Sequence, residues 1–181
     1  MDDLGFWILV SVGIVLGAML LIVIAGSFMS RSHKVTRAIT LKQTPDAVWA
    51  VLVDFVNSPS WHSELAKVER MPDRNGHEVW KEIDKSNYGM FLETMEATPT
   101  TRLVRALVDD KGPFTGRWEF GIAPTETGCR LTITESGEIG NPFFRFIFRL
   151  TQKPEYYVEL YLKELAKKFQ ESATVEAPRD G

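Results

Sequence analysis

The sequence predicts an α+β protein in which a seven-stranded, curved antiparallel sheet surrounds a long C-terminal helix, preceded by one transmembrane helix. Three observations predict this fold class. The run from Leu4 to Ser30 contains no charged residue. From about Ala66 to Ile139 the apolar residues recur with a period of two, and short turns separate the runs. After Asn141 the period of the apolar residues lengthens to that of a helix.

The composition is that of a folded protein with one domain of ordinary size and an appendage. The chain has 181 residues, of which 44% are hydrophobic and 25% are charged. Its formal net charge of −3 gives no reason to expect a nucleic acid as a partner. Cys129 is the single cysteine of the sequence, so no disulfide can form within the chain.

Residues 1–31 are expected to form an N-terminal transmembrane anchor, because about 20 apolar residues suffice to span a bilayer. A cleaved signal peptide would begin with a basic region, whereas this chain begins Met-Asp-Asp and has no clear cleavage site. Arg31, Lys34 and Arg37 follow the apolar run. The positive-inside rule therefore predicts a single-pass protein of the cell (inner) membrane, with its N-terminus outside and its soluble domain in the cytoplasm.

The apolar run also contains a G-x-x-x-G spacing, formed by Gly13 and Gly17. Small residues at this spacing allow two membrane helices to approach closely. A homodimer through this face is therefore a possible assembly.

The soluble domain is expected over residues 32–170, and it opens with a strand followed by short helices. The alternating run Val35 to Lys42 predicts the strand. Thr44 is a suitable cap and Pro45 a suitable first-turn residue for a helix. Pro59 prevents simple continuation of that helix, and a second short helix or helical turn is expected over Ser58 to Leu65.

Six further strands are expected after these helices. Short turns containing Gly, Pro, Asp or Asn connect them, which favours an antiparallel meander and brings the sheet to seven strands. The predicted strands are Ala66 to Met71, Glu78 to Ile83, Gly89 to Ala97, Arg102 to Val108, Gly116 to Ala123 and Arg130 to Ile139, with the turn Asp109 to Pro113 before the fifth of these.

A long helix is expected to close the domain. Asn141 is a good cap and Pro142 fits the first turn. Apolar residues at helical spacing continue to Phe169, and Pro154 should kink or break the helix. Residues 171–181 contain few large apolar residues and are expected to be a flexible tail.

Three stretches carry a resemblance to a known family: "TPDAVWAVLVDFVNSPSWHSE", "GPFTGRWEFGIAP" and "TGCRLTITESGEIGNPFFRF". Over roughly Lys34 to Phe169 the sequence resembles the SRPBCC/START-like helix-grip superfamily. This superfamily includes START-type lipid carriers, the birch-pollen allergen family and polyketide cyclase/dehydrase-like proteins. The resemblance implies a helix-grip fold with a cavity between the sheet and the C-terminal helix. It also implies that the two short helices close one end of the cavity, with Trp61 and His62 near its mouth.

A cavity of this kind is expected to hold a hydrophobic small molecule or lipid. Strand parity places large apolar side chains together on one face. The alternative is that these side chains fill the space completely. The residues expected to line the cavity are Trp61, Trp80, Met90, Leu92, Trp118, Phe120, Leu131, Ile133, Glu135 and Phe146.

Glu135 is the most notable polar residue of this set, because it shares its parity with Leu131 and Ile133. A buried carboxylate is costly unless it is paired, and its pKa tends to rise. Glu135 is therefore a candidate acid/base or a ligand for a hydroxyl group, or a structural residue at the end of a strand. Its candidate partners are Arg105, Arg117 and Arg145.

His62, beside Glu64, is a weaker candidate proton carrier. The sequence contains no His/Cys/Asp cluster with metal-ligand spacing, no P-loop, no G-x-S-x-G and no dinucleotide fingerprint. Neither a metal nor a cofactor is therefore expected. Arg145, Arg149 and Lys153 form a basic stripe, which is interpreted as a solvated helix face, with contact to lipid headgroups as the alternative.

Three function classes remain open at this point. A membrane-tethered binding module ranks first, because no catalytic constellation accompanies the predicted cavity. A protein-interaction or regulatory module with a filled core ranks second. A cyclase- or dehydratase-like enzyme acting on an apolar substrate ranks third, since its only candidate acid/base residues are Glu135 and His62.

Overall fold

The computed structural model of the protein describes residues 3–108, 114–151, 153–172 and 174–177. The predicted turn Asp109 to Pro113 and the N-terminal Asp2 lie outside the described residues. The first element is helix α1 (Asp3–Ser27), which is long and apolar enough to cross a membrane. None of its most apolar 18-residue window is buried within the protein.

The chain after α1 is built on a seven-stranded antiparallel sheet, so the predicted α+β helix-grip fold is confirmed. The spatial order of the strands is β1-β7-β6-β5-β4-β3-β2, in which β7 returns beside β1 and the others follow one another as a meander. Asn75 and Gly76 make the β2–β3 turn with φ of 52° and 82°, the left-handed conformation that Asn and Gly tolerate. The strands are β1 (Ser32–Leu41), β2 (Leu65–Arg74), β3 (His77–Asp84), β4 (Gly89–Thr98), β5 (Arg102–Leu107), β6 (Phe114–Thr125) and β7 (Gly128–Ile139).

Two short helices follow β1, as expected, but the second lies earlier than predicted. Helix α2 (Pro45–Val53) is capped by Thr44, whose hydroxyl accepts from the Ala47 amide at 3.3 Å. A 3-10 helix (Phe55–Ser60) follows it directly. The amides of residues 61 and 62 both donate to the Ser58 carbonyl, which ends this helix. The predicted helical turn over Ser58 to Leu65 was therefore wrong in position, and residue 65 already opens β2.

The C-terminal helix is divided at its proline. Helix α3 (Pro142–Thr151) begins at the cap Asn141, whose side-chain oxygen accepts from the Phe143 amide at 2.9 Å. Helix α4 (Pro154–Lys168) begins with the proline in its first turn, where the missing N–H is harmless. The predicted break at Pro154 is confirmed.

The core lies between the concave face of the sheet and the inner face of α4. Leu131 and Ile133 of β7 and Leu162 of α4 are fully buried there, and Val48 and Leu52 of α2 join them. Along β7, buried residues such as Leu131 and Ile133 alternate with less buried ones. A sheet covered on one face requires this alternation.

The chain returns to the sheet after α4, within the segment predicted to be a tail. The backbone of Glu176 exchanges two hydrogen bonds with Ala38 of β1, and its carboxylate accepts from Arg130 at 2.7 Å. These bonds cover part of the exposed edge of β1. The expected flexibility of residues 171–181 stays a prediction.

Candidate functional site

Four neighbouring strands place one residue each in a line across the concave face. Thr94 pairs with Arg105, Arg105 with Trp118, and Trp118 with Glu135. Directly opposed residues on antiparallel strands point to the same side of the sheet. Thr94, Arg105, Trp118 and Glu135 therefore form one transverse row. Three of its four members are polar, although the row faces the apolar core.

Arg105 is the central charge of the row and is only 7% exposed. Its Nη1 donates to the Glu82 carboxylate, and the centre of its guanidinium lies 4.2 Å from the Phe55 ring centroid. Its Nε and Nη2 are buried and have no hydrogen-bond partner in the described part of the chain. Buried donors in native proteins are nearly always satisfied. Arg105 therefore presents two donors to the interior that can hold an acceptor group.

Thr94 also has a buried polar atom, its hydroxyl oxygen, without a hydrogen-bond partner in the described residues, and it lies at the wall of a groove. The groove has a volume of about 530 Å³, is partly open to solvent, and runs between the α2–3-10 segment and strands β3 and β4. Its walls are mainly apolar and include Trp49, Val53, Phe55, Trp80, Thr94, Ala97 and Leu103.

An aromatic cluster closes the concave face on the α4 side, and Tyr161 of α4 is its centre. The Tyr161 ring lies 5.2 Å from Trp61, 5.5 Å from Phe120 and 6.0 Å from Trp118. Burial raises the pKa of the Tyr161 hydroxyl, with the charges of Arg105 and Glu82 acting in opposite directions. Tyr161 thus keeps its proton at physiological pH and can donate a hydrogen bond but cannot act as a base.

His62 is held in a structural pair, and its partner differs from the expected one. The imidazole Nδ1 lies 2.8 Å from the carboxylate of Glu164 on α4, rather than beside Glu64. The Ser63 amide donates to the same oxygen of Glu164 at 2.9 Å. Burial opposes ionisation of Glu164, but these hydrogen bonds outweigh it and lower its pKa. These contacts dock the bend after the 3-10 helix on α4. The 3-10 helix therefore ends where Trp61 and His62 can reach α4.

Glu135 lies on the concave face, as its parity predicted, but none of the three expected arginines pairs with it. Its Oε1 lies 2.9 Å from the Nε2 of His33, a residue to which no site was assigned from the sequence. Its Oε2 is buried and lacks a hydrogen-bond partner in the described residues. Burial raises the pKa of Glu135, and the hydrogen bond and charge of His33 oppose that rise.

The expected arginine partners lie elsewhere for identifiable reasons. Arg105 pairs with Glu82. Arg117 is on the opposite parity of β6 and pairs with Glu119. Arg145 is 3% exposed, so it does not belong to a solvated stripe. Its guanidinium instead donates to backbone carbonyls at the end of α1 and at the end of β7.

The other expected lining residues fall into three groups. Leu131 and Ile133 are fully buried in the closed core, and Phe120 is 4% exposed there. Trp61 and Trp118 are partly buried in the aromatic cluster, and Phe146 is partly buried on α3. Trp80 and Leu92 oppose each other near the groove, and Met90, opposite Glu82, is 37% exposed.

Sequence reasoning missed Glu82, Thr94, Tyr161 and Glu164. Glu82 shares its parity with Trp80, and this was the available signal, because a charged residue at inward parity needs a partner. No group of three His, Cys, Asp or Glu side chains within residues 3–108, 114–151, 153–172 and 174–177 is placed to hold a metal ion.

The comparisons with known proteins match the part of the chain that follows α1. Residues 32–174 match the family model described as "Polyketide cyclase / dehydrase and lipid transport". No curated protein is found to match the chain.

Several solved structures share the fold at low sequence identity. The Zhui aromatase/cyclase from Streptomyces sp. R1128 is 14% identical, with a TM-score of 0.63 over 77% of this chain and 94% of its own. A START superfamily protein from Mycobacterium smegmatis is 16% identical, with a TM-score of 0.56 over 76% and 94%. A conserved protein from Geobacillus kaustophilus is 17% identical, with a TM-score of 0.57 over 80% and 99%.

Proposed function

Because the chain belongs to the polyketide cyclase/dehydrase and lipid transport family, we propose that it is a membrane-anchored binding module for a hydrophobic small molecule or lipid. The ligand is held between the concave face of the sheet and the helices, and it enters through the groove beside β3 and β4. The observation that carries the proposal is the pair of unpartnered buried donors on Arg105, which lie on the concave face together with the unpartnered Thr94 hydroxyl.

The chemistry of the walls indicates the class of ligand. Trp49, Phe55 and Trp80 offer apolar area to a hydrocarbon body. Arg105 and Thr94 offer hydrogen bonds to one polar group at its end. The preferred ligand is therefore an amphiphile with a single acceptor group, such as a carboxylate, carbonyl or hydroxyl.

Helix α1 serves as the anchor in this proposal. Its length, its mean hydropathy of 3.0 and its lack of buried residues in the apolar window support a membrane span. Arg31, Lys34 and Arg37 after the span favour a cytoplasmic domain. An anchor of this kind keeps the ligand-binding domain near the bilayer, where amphiphiles partition.

Blocking the groove tests the proposal. Ala97 lines the groove, and Ala97→Trp should fill it. The matched control is Ala123→Trp, because Ala123 is exposed on β6 outside the groove. The assay is binding of a fluorescent long-chain fatty acid to the fragment from residue 32 onward, after circular dichroism has shown that each variant is folded.

We expect Ala97→Trp to weaken binding by at least about tenfold, a loss of about 1.4 kcal/mol. Ala123→Trp should bind like the wild-type fragment. Equal binding by both variants, or no binding by the wild type, would refute the proposed site.

A second candidate function rests on Glu135. A buried carboxyl with a raised pKa and a free oxygen is a reasonable acid/base for a cyclase- or dehydratase-like reaction. Glu135→Gln separates the two functions. Retained binding together with lost turnover of an aromatic polyketide-like substrate would favour an enzyme, whereas a wild type without turnover would favour binding alone.

A further inference from the structure

The end of helix α1 is fixed against helix α3. Gly26 of α1 is buried, and a Cβ at this position would lie 2.0 Å from the carbonyl oxygen of Pro142. Only glycine allows an approach of this closeness without displacement of one backbone. The first turn of α3 is therefore held directly beside the last turns of α1.

Arg145 reinforces this junction from the inner side. Its guanidinium donates to the carbonyls of Gly26 and Met29, at 2.9 and 3.1 Å. It also donates to Ile139 at 3.1 Å and Gly140 at 2.9 Å. The last carbonyls of a helix lack partners within the helix, so a buried arginine satisfies the end of α1 and ties it to α3 and β7.

The outer face of α3 is apolar and exposed. Phe144, Ile147 and Leu150 are 42%, 37% and 67% exposed. At 100° per residue their spacing of three places them within an arc of about 120° on the helix. Phe28, directly after α1, is 89% exposed. An apolar surface thus continues from the end of α1 onto α3.

The inner face of α3 packs on the soluble domain. The Phe148 ring lies 5.0 Å from His33 and 6.5 Å from Phe114. These contacts cover the end of the concave face where His33 meets Glu135. Phe144 also meets Phe114, with 6.1 Å between the ring centroids, but an apolar face that includes Ile147 and Leu150 stays exposed, as is typical of a surface that meets a partner outside the domain.

We propose that α3 lies in the surface of the bilayer that α1 spans, with Phe144, Ile147 and Leu150 among the lipid acyl chains. This inference rests on the proposed membrane anchor. The occupant is the bilayer because the junction at Gly26 places this face at the end of the span. The exposed Arg31, Arg149 and Lys153 flank the face and complement anionic headgroups.

The position of α3 has a consequence for the ligand site. One helix has the bilayer on its outer face and the His33–Glu135 end of the concave face on its inner face. In the described residues, α3 therefore stands between the bilayer and this end of the concave face, apart from the groove beside β3 and β4.

Depth measurements on the full chain in phosphatidylcholine/phosphatidylglycerol vesicles test the inference. A spin label is placed on Leu150→Cys, on Arg149→Cys as the matched position outside the apolar arc, and on two references. The references are Ile14→Cys within α1 and Glu126→Cys in the β6–β7 turn. Cys129 is fully buried, so it stays unlabelled. Collision of each label with oxygen reports lipid, and collision with a water-soluble nickel chelate reports water.

We expect the labels at positions 150 and 14 to collide with oxygen, and those at 126 and 149 with the nickel chelate. If the label at position 150 is as accessible to the nickel chelate as the label at position 126, while the label at position 14 is in lipid, α3 does not lie in the bilayer surface. The proposed anchor is retained in that case. Nickel access at both 14 and 150 overturns the anchor and the inference together. A label at position 150 that is shielded from both reagents would mean that a protein covers this face, which also overturns the inference. Dipolar broadening of its spectrum would identify that protein as a second copy of the chain.

Discussion

At the residue scale, the concave face carries polar groups that the fold does not satisfy by itself. Thr94 and Arg105 have buried atoms without partners in the described chain, and one oxygen of Glu135 shares this state. Each such group costs stability, on the order of 1–3 kcal/mol. Groups of this kind persist where function needs them. At these positions, a substitution that removes the unpartnered polar group is therefore expected to increase stability and to weaken ligand binding.

Thr94→Val should show these opposite effects on stability and on ligand binding in a single variant. Removing an unpartnered buried hydroxyl should raise the free energy of unfolding by about 1 kcal/mol and should weaken amphiphile binding. The control is Thr134→Val, which breaks the 2.9 Å hydrogen bond with Thr36 and should lower stability by about 1 kcal/mol without affecting binding. Urea unfolding and the fatty-acid assay measure both properties. Unchanged binding by Thr94→Val would mean that this hydroxyl meets no ligand.

Glu135 predicts a pH dependence of stability. Burial raises its pKa above the ordinary 4.5, against the opposing hydrogen bond from His33 and with a small contribution from the charge of Glu155. Its contribution to stability is thus full below pH 4.5 and is lost as pH rises through the raised value. The stability of Glu135→Gln relative to wild type should therefore increase between pH 4 and pH 7.

Urea unfolding at several pH values measures this difference. Glu138→Gln, exposed on the same strand, controls for the loss of a carboxylate from β7. A relative stability of Glu135→Gln that is constant or decreases with pH would contradict the assigned burial of Glu135.

At the element scale, contacts distant in sequence position the short segments around the site. The bend after the 3-10 helix is docked on α4 through Glu164, which accepts from His62 and Ser63. Glu164→Ala should lower the free energy of unfolding by about 2 kcal/mol, since it removes a carboxylate that accepts two hydrogen bonds. Lys163→Ala, next to it and exposed, should cost less than about 0.5 kcal/mol.

Hydrogen exchange localises this effect. Exchange should accelerate in residues 55–64 for Glu164→Ala and not for Lys163→Ala. Uniform acceleration over the whole domain would indicate a global loss of stability and not the release of this bend.

The junction of α1 and α3 gives a second prediction at this scale. In Gly26→Ala the added Cβ would clash with the backbone of Pro142 and should displace α3. Gly5 has open space around it, so Gly5→Ala should leave the position of α3 unchanged. Limited proteolysis of the full chain in nanodiscs measures the difference, with faster cleavage near α3 expected for Gly26→Ala alone. Equal cleavage of the two variants would contradict the close approach at Gly26.

The elements themselves were predictable from sequence because their signals are local. Alternating strands, turn residues, the caps at Thr44 and Asn141 and the break at Pro154 all act within a few residues. The site partners were not predictable in this way. His33 and Glu135 are 102 positions apart, and only the register of β1 on β7 brings them together. The partner of His62 likewise comes from α4, 102 positions away.

At the scale of the whole molecule, the apolar helix, the sheet and the divided C-terminal helix form one continuous series of contacts. Helix α1 ends against α3, α3 covers one end of the concave face, and α4 forms its wall. The assembly of two copies through Gly13 and Gly17 stays a prediction, and both glycines have open space around them.

Native mass spectrometry would show directly whether the interior binds a hydrophobic ligand. The fragment from residue 32 onward is expressed in cells and purified without detergent. We expect a bound amphiphile of defined mass, depleted in Ala97→Trp and retained in Ala123→Trp. A protein that is ligand-free, and stays so after incubation with a membrane lipid extract, would refute ligand binding and favour a filled domain that acts on protein partners.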